Sequence, residues 1–118
     1  MIVEDEQDLC FLLSFVLLQK NLIPCCSTTI AEAKKSIQQI KPAVMFLDNC
    51  LPDGSGIDFI SEIKDKLPFT KIVMISAHNS YEEMKTAKKE GADYFISTPF
   101  TTDIIRNTID LLIPQTSI

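Results

Sequence analysis

The sequence predicts an α/β domain whose open parallel sheet is covered by helices on both faces. Three observations carry that expectation. Short apolar runs alternate with longer amphipathic segments about once every 20–25 residues. The runs are apolar throughout, as strands buried on both faces must be. The 118 residues hold five such strand–helix units, which suits one domain and is too few for an eight-fold barrel.

The first strand is predicted at residues 1–3 and the first helix at 8–20. In that helix Leu9, Leu12, Leu13, Val16 and Leu17 follow the spacing of a single apolar face. A second strand at 22–27 leads to a helix at 30–40, with a weaker stripe of Ala31, Ala33, Ile37 and Ile40 and Thr29 placed to cap it. The third strand, 43–47, precedes a helix at 57–67 marked by Ile57, Ile60, Ile63 and Leu67. A fourth strand at 71–75 precedes a helix at 80–90, where Ser80 and Glu83 have capping-box spacing and Gly91 suits the end. The fifth strand, 93–97, is followed by a helix at 102–113 that opens after Thr101 or Thr102 and shows Ile104, Ile105, Ile109 and Leu112. Pro42 and Pro68 fall shortly past two of the helices. No composition shift or repeat divides the chain, so residues 1–118 are read as one domain.

Composition removes several function classes. Asp and Glu outnumber Lys and Arg by 16 to 11, and the resulting charge of −5 argues against direct nucleic-acid binding, which needs a basic face. No apolar run approaches the roughly 18–20 residues of a membrane span. The longest, residues 9–18, is broken by Cys10 and Ser14 and lacks the basic flank of a signal peptide. Four cysteines form no C-x-x-C pair, and adjacent Cys25 and Cys26 cannot readily bridge each other. A reduced cytoplasmic protein is the economical reading, with Cys10, Cys25 and Cys26 as small packing residues.

In open parallel sheets, functional groups gather beyond the carboxyl ends of the strands. Glu4-Asp5-Glu6 end the first strand, Asp48 the third, Ser76-Ala77 the fourth and Ser97-Thr98-Pro99-Phe100 the fifth. Carboxylates gathered from separate parts of the chain repel unless a cation or proton intervenes. An oxygen-only set suits Mg²⁺, with Mn²⁺ as a substitute. The plain alternative for Glu4, Asp5 and Glu6 is an acidic helix entry favoured by the helix dipole. Asp53 and Asp58 read as turn and helix-entry residues beside Gly54 and Gly56. Glu82, Glu83 and Glu90 with Lys85, Lys88 and Lys89 read as a solvated helix face. The lone His78 reads as a solvated or partner-contacting loop residue.

Five pieces in order, Ile2-Val3-Glu4-Asp5-Glu6, Leu47-Asp48-x-x-Leu51-Pro52-Asp53-Gly54, Ile75-Ser76-Ala77, Gly91-Ala92-Asp93-Tyr94-Phe95 and Pro99-Phe100, give the chain its family resemblance. The sequence resembles the receiver domain of two-component response regulators over essentially its whole length. The resemblance implies a flavodoxin-like (βα)5 three-layer sandwich, its five-stranded parallel sheet in the order 2-1-3-4-5. It implies that Asp48 accepts a phosphoryl group from a histidine kinase or histidine phosphotransfer protein. Asp5, Asp48 and the backbone carbonyl of Cys50 would hold Mg²⁺, with Glu4 acting through water. The Ser76 hydroxyl would bond the phosphoryl group, and Phe95 would be the switch aromatic. Such a domain is no enzyme beyond promoting its own phosphorylation and dephosphorylation.

Three positions depart from the family's pattern. Thr98 stands where the family carries a lysine that reaches the phosphoryl group. Glu4 replaces the commoner aspartate, and Phe95 keeps the ring but lacks a hydroxyl, which favours the buried rotamer. Two functions are therefore weighed: a phosphoacceptor signalling domain, and a degenerate receiver serving as a phosphorylation-independent interaction module. A flavin or nucleotide enzyme on the same fold is disfavoured, because Glu4-Asp5-Glu6 replaces the Gly-rich phosphate loop after the first strand.

Phe11, Phe15 and Leu18 lie at roughly 180–240° from Leu9 on the helical wheel, so the first helix is apolar on two sides. It is either wedged between neighbours or meets a partner. Partners beyond the kinase are an output domain or effector protein, and a weak homodimer is allowed. The first strand begins so close to Met1 that a few natural residues are expected before it. Residues 114–118 carry no output domain, so a stand-alone regulator and a fragment read alike.

Overall fold

The computed structural model describes residues 1–77 and 81–113. Along the chain it contains β1 (Ile2–Val3), α1 (Gln7–Gln19), β2 (Cys26–Ser27), α2 (Ile30–Ser36), β3 (Val44–Asp48), β4 (Cys50–Leu51), β5 (Gly54–Ser55), α3 (Gly56–Lys66), β6 (Lys71–Ser76), α4 (Tyr81–Glu90), β7 (Tyr94–Ser97) and α5 (Thr102–Leu112). The main sheet is wholly parallel in the order β2-β1-β3-β6-β7. Counting only its five strands, this is the expected order 2-1-3-4-5, and the fold is flavodoxin-like. The small antiparallel pair β4–β5 is the turn foreseen around Pro52-Asp53-Gly54, closed into a hairpin by Cys50–Ser55 and Leu51–Gly54 pairing.

Two cores flank the sheet because successive strand residues point to opposite faces. Met45, Leu47, Ile72 and Met74 pack on one side with Ala33, Ile60, Ile63 and Ala87 from α2, α3 and α4 and with Ile37 just past α2. Val44, Phe46, Val73 and Ile75 pack on the other with Leu13, Val16, Leu17, Ile105 and Ile109 from α1 and α5. Of the α1 stripe, Leu13, Val16 and Leu17 are fully buried. Each such side chain stabilises the fold by about 1.5–3 kcal/mol relative to exposure. Among the described residues, no helix is long and apolar enough to cross a membrane.

Punctuation follows the sequence closely. Thr29 accepts from the Glu32 N–H and Thr101 from the Ile104 N–H, capping α2 and α5. Gly91 ends α4 at φ +122°, a conformation side chains with a Cβ rarely adopt. The helix predicted to start at Ser80, its capping box and His78 involve residues outside those described.

Several boundaries and pairings differ from expectation. The second strand shrinks from 22–27 to two residues, because only Cys26 and Ser27 lie alongside Ile2 and Val3. α2 stops at Ser36 rather than residue 40, leaving Ala31 and Ile40 exposed while Ala33 and Ile37 keep the core contact. Ile104 is exposed, and Thr108 fills the buried position on α5 by donating to the Ile104 carbonyl at 2.7 Å. Cys10 and Cys26 are joined in a disulfide rather than serving as separate packing residues. The β1–β2 pairing brings the first turns of α1 beside the end of β2, a proximity that spacing along the chain does not reveal. Cys25 and Cys50 are free.

Candidate functional site

Strand register assembles the site. Ile2 and Val3 pair with Phe46 and Leu47, so Glu4 leaves the sheet beside Asp48. Asp48 pairs with Ile75, and Ser76 with Ser97. The Thr98 N–H then donates to the Ser76 carbonyl at 3.0 Å. Four strands thus deliver Glu4, Asp48, Ser76 and Thr98 to one edge.

Carboxylate oxygens of Glu4, Asp5 and Asp48 all lie within 4.8 Å of one another. Their surroundings differ: Glu4 is buried at 4% exposure, Asp48 is half-buried and Asp5 is open to solvent. The acidic-helix-entry alternative therefore fails for Glu4, which is sealed beneath the site, whereas Asp8 does sit in the first turn of α1. Burial pushes the Glu4 carboxyl up to about 9, aided by a hydrogen bond with Asp48 and by the charges of Asp48, Asp5 and Glu6. Its Oε2 is buried without a hydrogen-bond partner. An orphaned carboxylate oxygen among hard oxygen donors fits a small divalent cation, which would replace the missing partner and offset the crowded charge. Cys50 lies two residues beyond Asp48, and its N–H donates to Asp48 Oδ1 at 3.2 Å.

The loop after Asp48 is fixed by Asn49. Its backbone N–H donates to the Ile75 carbonyl at 3.1 Å, and its own carbonyl accepts from Gly56 at 3.1 Å. Its side-chain oxygen accepts from Ser55 Oγ at 2.7 Å and the Ile57 N–H at 3.2 Å. Its Nδ2 donates to Glu83 Oε1 at 3.1 Å. A Cβ on Gly56 would collide with the Asp48 carbonyl, so only glycine lets α3 start this close to the end of β3.

Glu83 corrects the solvated-face expectation. It is half-buried, and beyond its bond to Asn49 its Oε2 accepts from Ser76 Oγ at 3.4 Å. Glu82, Lys85, Lys88, Lys89 and Glu90 are exposed as expected. Asp53 sits in the turn as expected and has a further role. Its carboxylate caps α2 by accepting from the Ile30 and Ala31 N–H groups at 2.8 and 3.0 Å, and these bonds hold its pKa below the usual range. Asp58 does open α3. Sequence reasoning missed Asn49 and Glu83 as site residues. The signal for Asn49 was a polar residue at the end of a buried strand, while nothing local pointed Glu83 inward.

Phe95 is half-buried against the α2–α4 core. Asp93, in the same motif, lies at the opposite strand end and is structural: its carboxylate accepts from Lys64 Nζ at 2.9 Å and the Ile72 N–H at 2.8 Å.

A model of the response regulator receiver domain matches residues 1–110. The chain belongs to that family. It is 30% identical over 109 residues to the response regulator protein PilR of Pseudomonas aeruginosa, covering 92% of this chain and 24% of that one. It is 32% identical over 79 residues to the chemotaxis protein CheY of Listeria monocytogenes, covering 67% of this chain and 66% of that one. The beryllofluoride-activated NtrC4 receiver domain dimer superposes with a TM-score of 0.89 at 32% identity, covering 94% of this chain and 92% of that one. The chain thus spans about a quarter of PilR and about two thirds of CheY.

Proposed function

We propose that this receiver domain is a phosphoacceptor: Asp48 takes a phosphoryl group from a phosphohistidine on a histidine kinase or phosphotransfer protein. The observation that carries this is the meeting of Glu4, Asp5 and Asp48 within 4.8 Å at the carboxyl edge of the sheet, with Ser76 one strand away. Asp5, Asp48 and the Cys50 carbonyl would hold Mg²⁺, with Glu4 beneath them, and Mn²⁺ would serve in its place. When bound, the ion supplies charge compensation and alignment for phosphoryl transfer.

The residues supply the rest by placement. An ionised Asp48 has no proton to lose, so no general base is required. Ser76 offers a hydroxyl toward the phosphoryl oxygen, and Phe95, resting on the core, is the aromatic whose rotamer reports it. Thr98 supplies no cation. The domain is therefore not an enzyme acting on other molecules but promotes only its own phosphorylation and loss of phosphate.

Docking fits the first helix. Phe11, Phe15 and Leu18 are 77%, 49% and 60% exposed, which leaves the partner-facing alternative open for that apolar side. A groove of about 440 Å³ runs from Glu4 and Asp5 past Cys10 to Phe11 and Ser14. It links the exposed side of α1 to Glu4 and Asp5 of the acidic cluster. An output domain or effector protein would read the phosphorylated state.

Incubation with Mg²⁺ and acetyl phosphate, followed by intact-mass measurement, tests the proposal. One phosphoryl group should be gained, and EDTA should suppress it. No gain under conditions that leave the fold intact would refute it.

A further inference from the structure

We propose that Glu83 is a latch that ties α4 to the unphosphorylated site and must be displaced before a phosphoryl group on Asp48 can reach Ser76. This rests on Asp48 being the acceptor. Glu83 Oε1 accepts from Asn49 Nδ2 at 3.1 Å and Oε2 from Ser76 Oγ at 3.4 Å. One carboxylate thereby joins α4 to both the residue after the acceptor and the hydroxyl meant for the phosphoryl oxygen.

The geometry makes the two anions rivals. Ser76 Oγ has one proton to donate, and its hydroxyl is buried at 1% residue exposure. A phosphoryl oxygen within hydrogen-bond range of Oγ would lie no more than about 6 Å from Glu83 Oε2. Like charges that close repel, most strongly where solvent is partly excluded. The pocket also has Thr98 rather than a lysine to balance the added charge. Turning Ser76 toward the phosphoryl group therefore breaks one of the bonds holding α4, and repulsion weakens the other. Asn49 is positioned to keep the loop in place meanwhile, because Ser55 and Ile57 hold its side-chain oxygen independently of Glu83.

Glu83 is thus a positioning residue acting through Ser76, and its charge and its bonds can be separated. Glu83→Gln keeps an oxygen for Asn49 and removes the charge, whereas Glu83→Ala removes both. Beryllofluoride with Mg²⁺ serves as the phosphoryl mimic, with affinity read by ¹⁹F NMR and α4 order by amide hydrogen exchange. Both variants should bind the mimic about three- to tenfold more tightly than wild type, as the loss of one partly screened like charge predicts. Amides of α4 should exchange faster in mimic-free Glu83→Ala than in wild type, with Glu83→Gln closer to wild type. In wild type, the mimic should itself speed exchange in α4. Unchanged mimic affinity in both variants would overturn the latch and reduce Glu83 to a structural contact, while leaving Asp48 as acceptor. Wild type that takes up no beryllofluoride would remove the acceptor assignment, and the latch with it.

Discussion

At the scale of single residues, burial sets Glu4 apart from the acids around it. Asp5, Glu6 and Asp8 stand in water, whereas Glu4 is sealed under the cluster with an unpartnered oxygen. Its carboxyl rises from an ordinary 4.5 to about 9 through burial first and neighbouring acids second. A proton held more tightly by the folded state stabilises it at low pH, and that stability is lost as pH climbs from about 4.5 to about 9. In EDTA, the melting temperature should fall across that window. Glu4→Gln should flatten the fall, and Mg²⁺ should oppose it on the alkaline side; calorimetry at several pH values measures all three. The acid run was visible in the sequence at Glu4-Asp5-Glu6, but which member would be buried depended on β1 pairing with β3. Glu83 shows the same limit, since it read as part of a solvated helix face until α4 was packed beside Ser76 and Asn49.

At the scale of elements, most helices and strands were legible because apolar period and caps agreed. Thr29 and Thr101 cap as their positions suggested, and the i, i+3, i+4 stripe of α1 is the buried one. What the sequence hid was long-range: the two-residue β2, the Asp53 carboxylate capping a distant helix, and the Cys10–Cys26 bond all arise from chain segments meeting in space. The junction of β3 and α3 is the most constrained of these, because Gly56 abuts the Asp48 carbonyl. Gly56→Ala should destabilise the fold by about 1–3 kcal/mol, as overpacking does, and urea unfolding would measure it. On α1, Phe15→Ala should slow phosphoryl transfer from a partner phosphohistidine protein several-fold yet leave the reaction with acetyl phosphate unchanged. Stopped transfer assays with both donors distinguish docking from chemistry.

At the scale of the whole molecule, five short parallel strands place a charged cluster at one edge and leave the opposite edge to structural bonds such as Lys64–Asp93. The order of the sheet was implied by the family resemblance that five motif fragments carry; the consequence of Thr98 was not, because it depends on how far the edge responds to charge. A lysine about 4 Å from a phosphoryl oxygen would contribute about 1–3 kcal/mol after solvent screening, comparable to a typical coupling energy between sites. Thr98→Lys should therefore enlarge the beryllofluoride-induced chemical shifts at Ser76 and Phe95, and equal shifts in both proteins would show that this position does not limit the response. Beneath all of this stands the proposal that Asp48 is the acceptor. Its most direct test compares wild type with Asp48→Asn by intact mass and peptide mapping after acetyl phosphate and Mg²⁺. The wild-type chain should gain one phosphoryl group on the peptide bearing Asp48, and the variant should gain none. A full gain in Asp48→Asn, or a phosphoryl group mapped to another peptide, would contradict the account.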